Sequence, residues 1–448
     1  MTVIPFPHHQ TVFQPFGHYV RLGKDCFKKV ADLAASGVLR NQRFVVEPSW
    51  LPRNKGLIRM LHGLGAELVL DPRTIELSSQ RNCTGKALKV PWAADGPLRP
   101  ELFAPDHRDD IYGQIARCAV EGDMDAVIAP THFLSDPGFD GWYSIDIEGC
   151  QQLRRSLDMA GGFMIRIDFM IAARLLDLEN PAFQVRVMTD LANLPIDNLW
   201  VRASMSSPDD GPTNAQRLVR MLAGWHNAGV PIVMDYMAGI TGEALLAMNV
   251  VSAIAHGFGE QTTFATGKWT EPPEERDTSK PVRRGSRVSL TALGMTLTNA
   301  EMEVVMSAHG AKSLLLTTDK KILPNGLEDI RKDPRAFNAA ETSRRLGEIA
   351  AVPTISRPEE FCKTRLREIV ETRRKAAKLK PKEAVAEERK VNLEALKKRW
   401  TTKAVTAEKL RGAYEDIAKE RTEQGAVVKA LGPLRTHRPD PNASAGIA

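Results

Sequence analysis

FMIRID (163–168), NLWVRA (198–203) and PIVMD (231–235) are short and apolar, and amphipathic segments separate them. Strands that read as apolar runs are strands covered on both faces. Their alternation with helical segments is the signature of parallel strands joined by crossover helices. Upstream, RFVVE (43–47), ELVLD (67–71) and DAVIAP (125–130) continue the pattern, and SAIAH (252–256) and SLLLT (313–317) extend it downstream. Helical periodicity fills the intervals 54–65, 109–122, 144–161, 213–229 and 241–250, with Ser144 and Thr213 as expected N-caps. Eight strands in this rhythm predict an α/β fold, a (β/α)8 TIM-like barrel, with an open doubly wound sheet as the alternative because periodicity does not show closure.

This reading places an N-terminal extension at 1–42, with a helix at 24–35, and the barrel at 43–357. A connection at 72–107 follows the second strand. A longer insertion at 258–310 follows the seventh and carries a polar loop, a hairpin at 288–298 and a helix from Asn299. Long loops at strand exits build the working face of a barrel, so this insertion reads as a lid or specificity loop.

A basic, helical, coiled-coil-like tail is expected over 358–433, broken at Pro381, and a disordered C-terminus over 434–448. In the tail Leu393, Leu396, Trp400, Leu410, Tyr414 and Ile417 form a narrow apolar stripe. Such a stripe calls for a surface to cover it: the barrel, a second subunit or another protein.

The charge is divided. Of the 61 basic and 55 acidic residues in the 448-residue chain, 22 basic and 12 acidic ones lie from Phe361 onward. The remainder is mildly acidic and has no bulk attraction for nucleic acid. In the tail, acidic residues interleave with the basic ones and aromatics are few, so a helix contact is favoured over nucleic-acid binding. The five cysteines are scattered and never spaced as C-x-x-C, which fits reduced thiols in a cytoplasmic protein. No run of 18 apolar residues occurs, and the first residues lack the order of a signal peptide, so no membrane association is expected.

Catalytic groups of a barrel sit at the carboxyl ends of its strands. Those positions hold Glu47 with Ser49, Asp71, Thr131 with His132, Asp168, Arg202 with Ser204, Asp235 with Tyr236, His256 with Glu260, and Asp319 with Lys320. Alternation puts Arg166 and Asp168 on one face of their strand, as a structural ion pair or as part of a site, with Arg202 a neighbour for Asp168. Gly239 and Gly242 follow Asp235 where a helix starts, a favourable place for an anion. In HGFGE (256–260), His256 is suited to proton transfer and Glu260 to orienting it. These five residues resemble the glycine-rich, glutamate-ending turn of tRNA-guanine transglycosylases, which are also barrels. The cysteine/histidine zinc cluster of that family is absent here, so the resemblance does not extend to the family.

Walker, G-x-G-x-x-G, H-E-x-x-H and G-x-S-x-G patterns are absent, so the sequence identifies no cofactor or metal. Two functions are expected. In the first, the barrel is an enzyme with Asp168, Asp235, His256 and Glu260 as acid–base groups and Arg166, Arg202, Tyr236, His132 and Glu47 as substrate binders. Two carboxylates suit hydrolysis or transfer at a glycosidic or N-glycosidic bond of a small polar or nucleotide-like ligand. In the second, it is a non-catalytic scaffold whose tail binds a protein partner, itself or nucleic acid.

Overall fold

The computed structural model describes residues 15–432 and Leu434, apart from 24–25, 40–42, 81–82, 84–86, 136–140, 259–262, 265, 267–286, 291, 317–321, 323–324 and 425–428. The expected C-terminal segment lies almost wholly, and Glu260, Asp319 and Lys320 wholly, outside the described residues.

Eight parallel strands close into a barrel. They are β1 (Gly17–Leu22), β2 (Arg43–Val46), β3 (Glu67–Leu70), β4 (Ala126–Ile128), β5 (Arg166–Arg174), β6 (Asn198–Ser204), β7 (Ile232–Met234) and β8 (Ala253–Gly257). Each pairs with its neighbours in sequence, and β1 pairs with β8, so no edge remains. This is a (β/α)8 barrel rather than an open sheet. The count of eight is as expected, but one member differs. The first strand is GHYVRL, inside the supposed N-terminal extension. Its apolar character is masked because Tyr19 and Arg21 face the interior and His18 faces out. Ser313, Leu314 and Leu315 of SLLLT instead belong to the helix Ala311–Leu315. The barrel is already closed without it, and its leucines pack into a separate cluster beside the hairpin.

Helices surround the barrel in order: α1 (Phe27–Ala35), α2 (Lys55–Gly63), α3 (Pro105–Glu121), α4 (Trp142–Met159), α5 (Pro181–Leu191), α6 (Pro212–Gly224) and α7 (Gly239–Ala247). The expected caps Ser144 and Thr213 lie inside their helices. Gly141 and Gly211 occupy the cap positions, and Pro212 at the first helical position supplies a preset φ. After β8 come the antiparallel hairpin β9 (Arg287–Leu290) and β10 (Met295–Thr298), then α8 (Asn299–Met306). Thr298 and Glu301 start α8 with a reciprocal capping box, worth about 1 kcal/mol. Helix α9 (Pro334–Ala350) packs against α7 and α1 and takes the eighth place in the ring.

The tail packs onto the barrel and its helices. It comprises α10 (Arg367–Ala377) and the long α11 (Leu393–Gln424), joined by shorter turns. Phe361, Leu366, Ile369, Leu410, Tyr414 and Ile417 belong to the same buried cluster as the barrel and its helices. Leu396 and Trp400 bury against the hairpin instead. The apolar stripe therefore has its partner within this chain. Beyond α11, Leu431 closes the strand-entry end of the barrel, where it packs on Gly17; a Cβ there would overlap it. Arg43 Nη2 donates to the Gly432 carbonyl at 2.8 Å, and the Ser252 hydroxyl to the Lys429 carbonyl at 2.6 Å. Among the described residues, no helix is long and apolar enough to cross a membrane.

Candidate active site

The barrel interior has a charged floor, an apolar middle and a charged mouth. Strand alternation points Tyr19, Val45, Val69, Met170, Trp200, Val233 and Ala255 inward, where they form one buried cluster. Below them Glu67 is the hub of the floor. It accepts from Arg43 at 2.5 Å and from Tyr19 Oη at 3.0 Å, and pairs with Arg166 at 2.7 Å. Asp168 accepts from Asn198 Nδ2 and Trp200 Nε1, both at 2.8 Å.

At the mouth Asp235 is clamped by two arginines. Arg21 donates to it through Nε and Nη2, both at 2.8 Å, and Arg202 through Nε at 2.8 Å. Arg21 Nη1 also reaches Asp71 at 2.5 Å. Arg202 extends to Glu76 at 3.3 Å and lies 3.5 Å from Asp71. Arg73 pairs with Glu47 at 2.5 Å and stands 3.6 Å from Glu76. The Tyr236 ring lies under both guanidiniums, 5.1 Å from Arg21 and 4.8 Å from Arg202, and Phe264 covers Arg202 at 5.4 Å. Phe264 and Thr266 belong to the insertion after β8, and Thr266 bonds Ser204 at the exit of β6.

Burial would raise the Asp71 carboxyl, but Arg21 and Arg202 outweigh it and hold it below the ordinary range. Burial likewise opposes the Arg202 charge, and Asp235 and Glu76 more than restore it. Two non-glycine residues at this end, Arg73 (φ 61°) and Tyr236 (φ 53°), sit in the left-handed region. Such conformations cost of order 1–3 kcal/mol and cluster where function requires them. Two buried atoms of the network make no hydrogen bond: Arg202 Nη2, a donor, and Glu76 Oε2, an acceptor. No cluster of three or more His, Cys, Asp or Glu among the described residues is arranged to hold a metal ion.

No protein-family model matches the chain, and no curated protein matches it. Similar solved structures include KGPDC from Streptococcus mutans, at 11% identity and TM-score 0.32, covering 56% of this chain and 92% of that one. A type I 3-dehydroquinate dehydratase from Clostridium difficile aligns at 9% identity and TM-score 0.34, over 57% of this chain and 90% of that one. The 3-dehydroquinate dehydratase from Aquifex aeolicus VF5 aligns at 11% and 0.32, over 56% and 93%.

Of the residues singled out in the sequence, Arg202, Asp235, Tyr236 and Glu47 meet at the mouth. Asp168 and Arg166 do not. Their strand continues to Arg174, so Asp168 lies near its start, in register with Asn198, while Arg202 is in register with Ala172. The expected Asp168–Arg202 and Asp168–Asp235 pairs therefore do not form. His256 points out of the barrel wall, with its Nε2 2.7 Å from His18 Nε2 and its Nδ1 2.8 Å from the Gly257 carbonyl. A carbonyl only accepts, so Nδ1 carries the proton and His18 donates to His256. His132 also lies outside the mouth. It is buried on Trp142 at 3.6 Å, with Nδ1 bonded to Asp146 at 2.6 Å. Sequence reasoning missed Arg21, Arg73 and Glu76. Alternation in GHYVRL would have placed Arg21 beside Tyr19 on the inner face, and DPRTIEL carries Arg73 and Glu76 directly beyond the third strand.

Proposed function

We propose that the barrel is an enzyme that acts by acid–base chemistry on a small, polar, anionic substrate at its mouth. The observation that carries this reading is that Arg202 Nη2 and Glu76 Oε2, both buried, make no hydrogen bond and meet only longer ion-pair contacts, Asp71 at 3.5 Å and Arg73 at 3.6 Å. A buried donor and a buried acceptor without a hydrogen bond are costly unless a ligand completes them. Arg202 binds the anionic part of the substrate, and Glu76 exchanges the proton. Asp235, Asp71 and Arg21 hold Arg202 in place. Glu47, tied to Glu76 through Arg73, is the second carboxylate. Two carboxylates beside an anion-binding arginine suit hydrolysis or transfer at a glycosidic or N-glycosidic bond of a nucleotide-like substrate.

The test is a panel of nucleosides, nucleoside monophosphates and sugar phosphates, screened by thermal shift and then for release of base or sugar. Glu76→Gln is expected to abolish turnover while retaining ligand affinity. Arg202→Lys, which keeps the charge and removes the fork, is expected to weaken binding. Full turnover in Glu76→Gln would overturn the assignment. A non-catalytic barrel is favoured by one observation: every mouth carboxylate already lies within ion-pair distance of an arginine. That reading predicts no turnover anywhere in the panel.

A further inference from the structure

A second cavity, of about 210 Å³, lies outside the barrel wall. Its walls come from the loop after β6, the start of α7, the outer face of β8, the hairpin β9–β10, and helices α9, α10 and α11. Asp209, His256, Thr342, Arg345, Arg373 and Lys403 supply its polar lining. Nothing in the proposed acid–base chemistry uses it.

The decisive residue is Arg373. It is 2% exposed, and its Nε and Nη1 make no hydrogen bond. The other charges around the cavity have ion-pair or hydrogen-bond partners, although Arg345 Nε makes an ion pair without a hydrogen bond. Lys403 pairs with Asp210 at 2.5 Å. Glu243 takes Arg345 at 3.2 Å and Arg365 at 3.1 Å. Asp209 accepts from the amides of Ile240 (3.0 Å) and Thr241 (2.8 Å) and from the Thr241 hydroxyl (2.6 Å). No carboxylate among the described residues lies within 4 Å of Arg373. Burial disfavours its charge, and Asp209 and Glu243 act on it only at a distance. Arginine does not discharge in proteins, so a buried one without a partner calls for a counter-anion. The fold brings the group here deliberately close: at Gly294, in the hairpin turn with φ +62°, any Cβ would overlap the Arg373 guanidinium.

We propose that this cavity is a binding site for a phosphate group, either free phosphate or the phosphoryl end of a small molecule. The donors approach from three different helices, through Arg345 on α9, Arg373 on α10 and Lys403 on α11, with the Thr342 hydroxyl beside them. A tetrahedral oxyanion satisfies such spread donors, whereas a planar carboxylate engages one fork.

Isothermal titration of the full chain with inorganic phosphate and with glycerol phosphate, against chloride at matched ionic strength, tests this. Wild type is expected to bind one equivalent with a Kd of about 1 mM or tighter. Arg373→Met is expected to weaken binding by about tenfold or more, the weight of one charge-assisted contact. Lys403→Met, at the rim, is expected to weaken it several-fold and serves if Arg373→Met does not fold. Arg73→Met, at the barrel mouth, is expected to leave it unchanged. Tighter binding of the ester than of phosphate identifies the phosphoryl end of a small molecule, and equal binding identifies free phosphate. Absence of binding by wild type, or undiminished binding in both Arg373→Met and Lys403→Met, overturns the proposal. Loss of binding in Arg73→Met alone moves the anion to the mouth and overturns it as well.

Discussion

Replacing Asp168 by Asn separates a structural acid from a catalytic one. Its carboxyl is fully buried, and burial raises it from 3.8 to about 7 against the pull of Arg166 and the bonds from Trp200 and Asn198. In the unfolded chain the same group titrates near 3.8. Between these values the folded state holds a proton that the unfolded state has released. Stability is therefore lost as pH rises through that window, and the loss is complete above about 7. Roughly three pKa units correspond to about 4 kcal/mol. Asparagine never ionises. The unfolding free energy of Asp168→Asn minus that of wild type should then rise by about 1.4 kcal/mol per pH unit between about pH 4 and 7, and level off above. The amide oxygen accepts from one of the two donors, Asn198 and Trp200, and its NH2 faces the other, which lowers the whole difference curve without changing its slope. Urea unfolding followed by tryptophan fluorescence at a series of pH values measures the difference, and other titrating groups cancel between the two proteins. A difference that stays flat across the window, or falls, would refute the assignment of Asp168 as a buried acid held neutral by the fold.

Two further outcomes follow from the charged clusters. Arg202→Met leaves Glu76 and one side of Asp235 buried without their partner and should cost about 3–5 kcal/mol in urea unfolding. Adding Asp235→Asn should cost less than the two single changes combined, because Arg202 and Asp235 share one contact; strict additivity would show that they act separately. Burial and mutual repulsion lower His18, and burial lowers His256, so both favour the neutral form in the folded state. The unfolded chain takes up protons below about 6.5 that the folded chain refuses, so stability falls as pH drops through that value. Ring carbon and nitrogen shifts at pH about 6 should report two neutral imidazoles, and an imidazolium signal from either residue would contradict the geometry.

The architecture was legible because burial on both faces leaves its mark on sequence. Runs such as ELVLD and PIVMD mark covered segments, and all but SLLLT of those read as strands are strands. Where the interior is charged, that mark disappears. GHYVRL supplies a barrel strand whose inward residues are an aromatic and an arginine, and it reads as an extension. Strand length was the second obstacle. FMIRID reads as ending at Asp168, but five further residues of β5 up to Ala173 are buried and apolar. Ending the strand too early moved Asp168 from the floor to the mouth and created a carboxylate pair that the fold does not contain. His256 illustrates a third limit. Alternation shows that it faces opposite to Ala255, yet which face is inward depends on the register of the whole barrel.

The tail's charge invites the conclusion that it docks by electrostatics, but the magnitudes point elsewhere. Of its cross-element ion pairs, Arg220–Glu420 and Lys403–Asp210 have partly exposed partners, and Arg365–Glu243 is the largely buried one. Exposed pairs contribute about 0–1 kcal/mol each. By contrast Phe361, Leu366, Ile369, Leu410, Tyr414 and Ile417 are almost fully buried against the barrel layer. At about 1.5–3 kcal/mol per large apolar side chain, their burial is worth on the order of 10 kcal/mol. That is comparable to the whole stability of a typical domain. The Tyr414 hydroxyl adds a buried bond to Thr241 at 2.7 Å, and Leu431 closes the barrel floor. The tail is thus the last layer of the fold. A chain ending at Arg357 should be insoluble or lack a cooperative melt, and the full chain should keep its tail docked in molar salt, as read by proteolysis between Glu360 and Leu393. A truncated barrel that stays soluble and melts cooperatively near the full-length temperature would show that the barrel core stands without it.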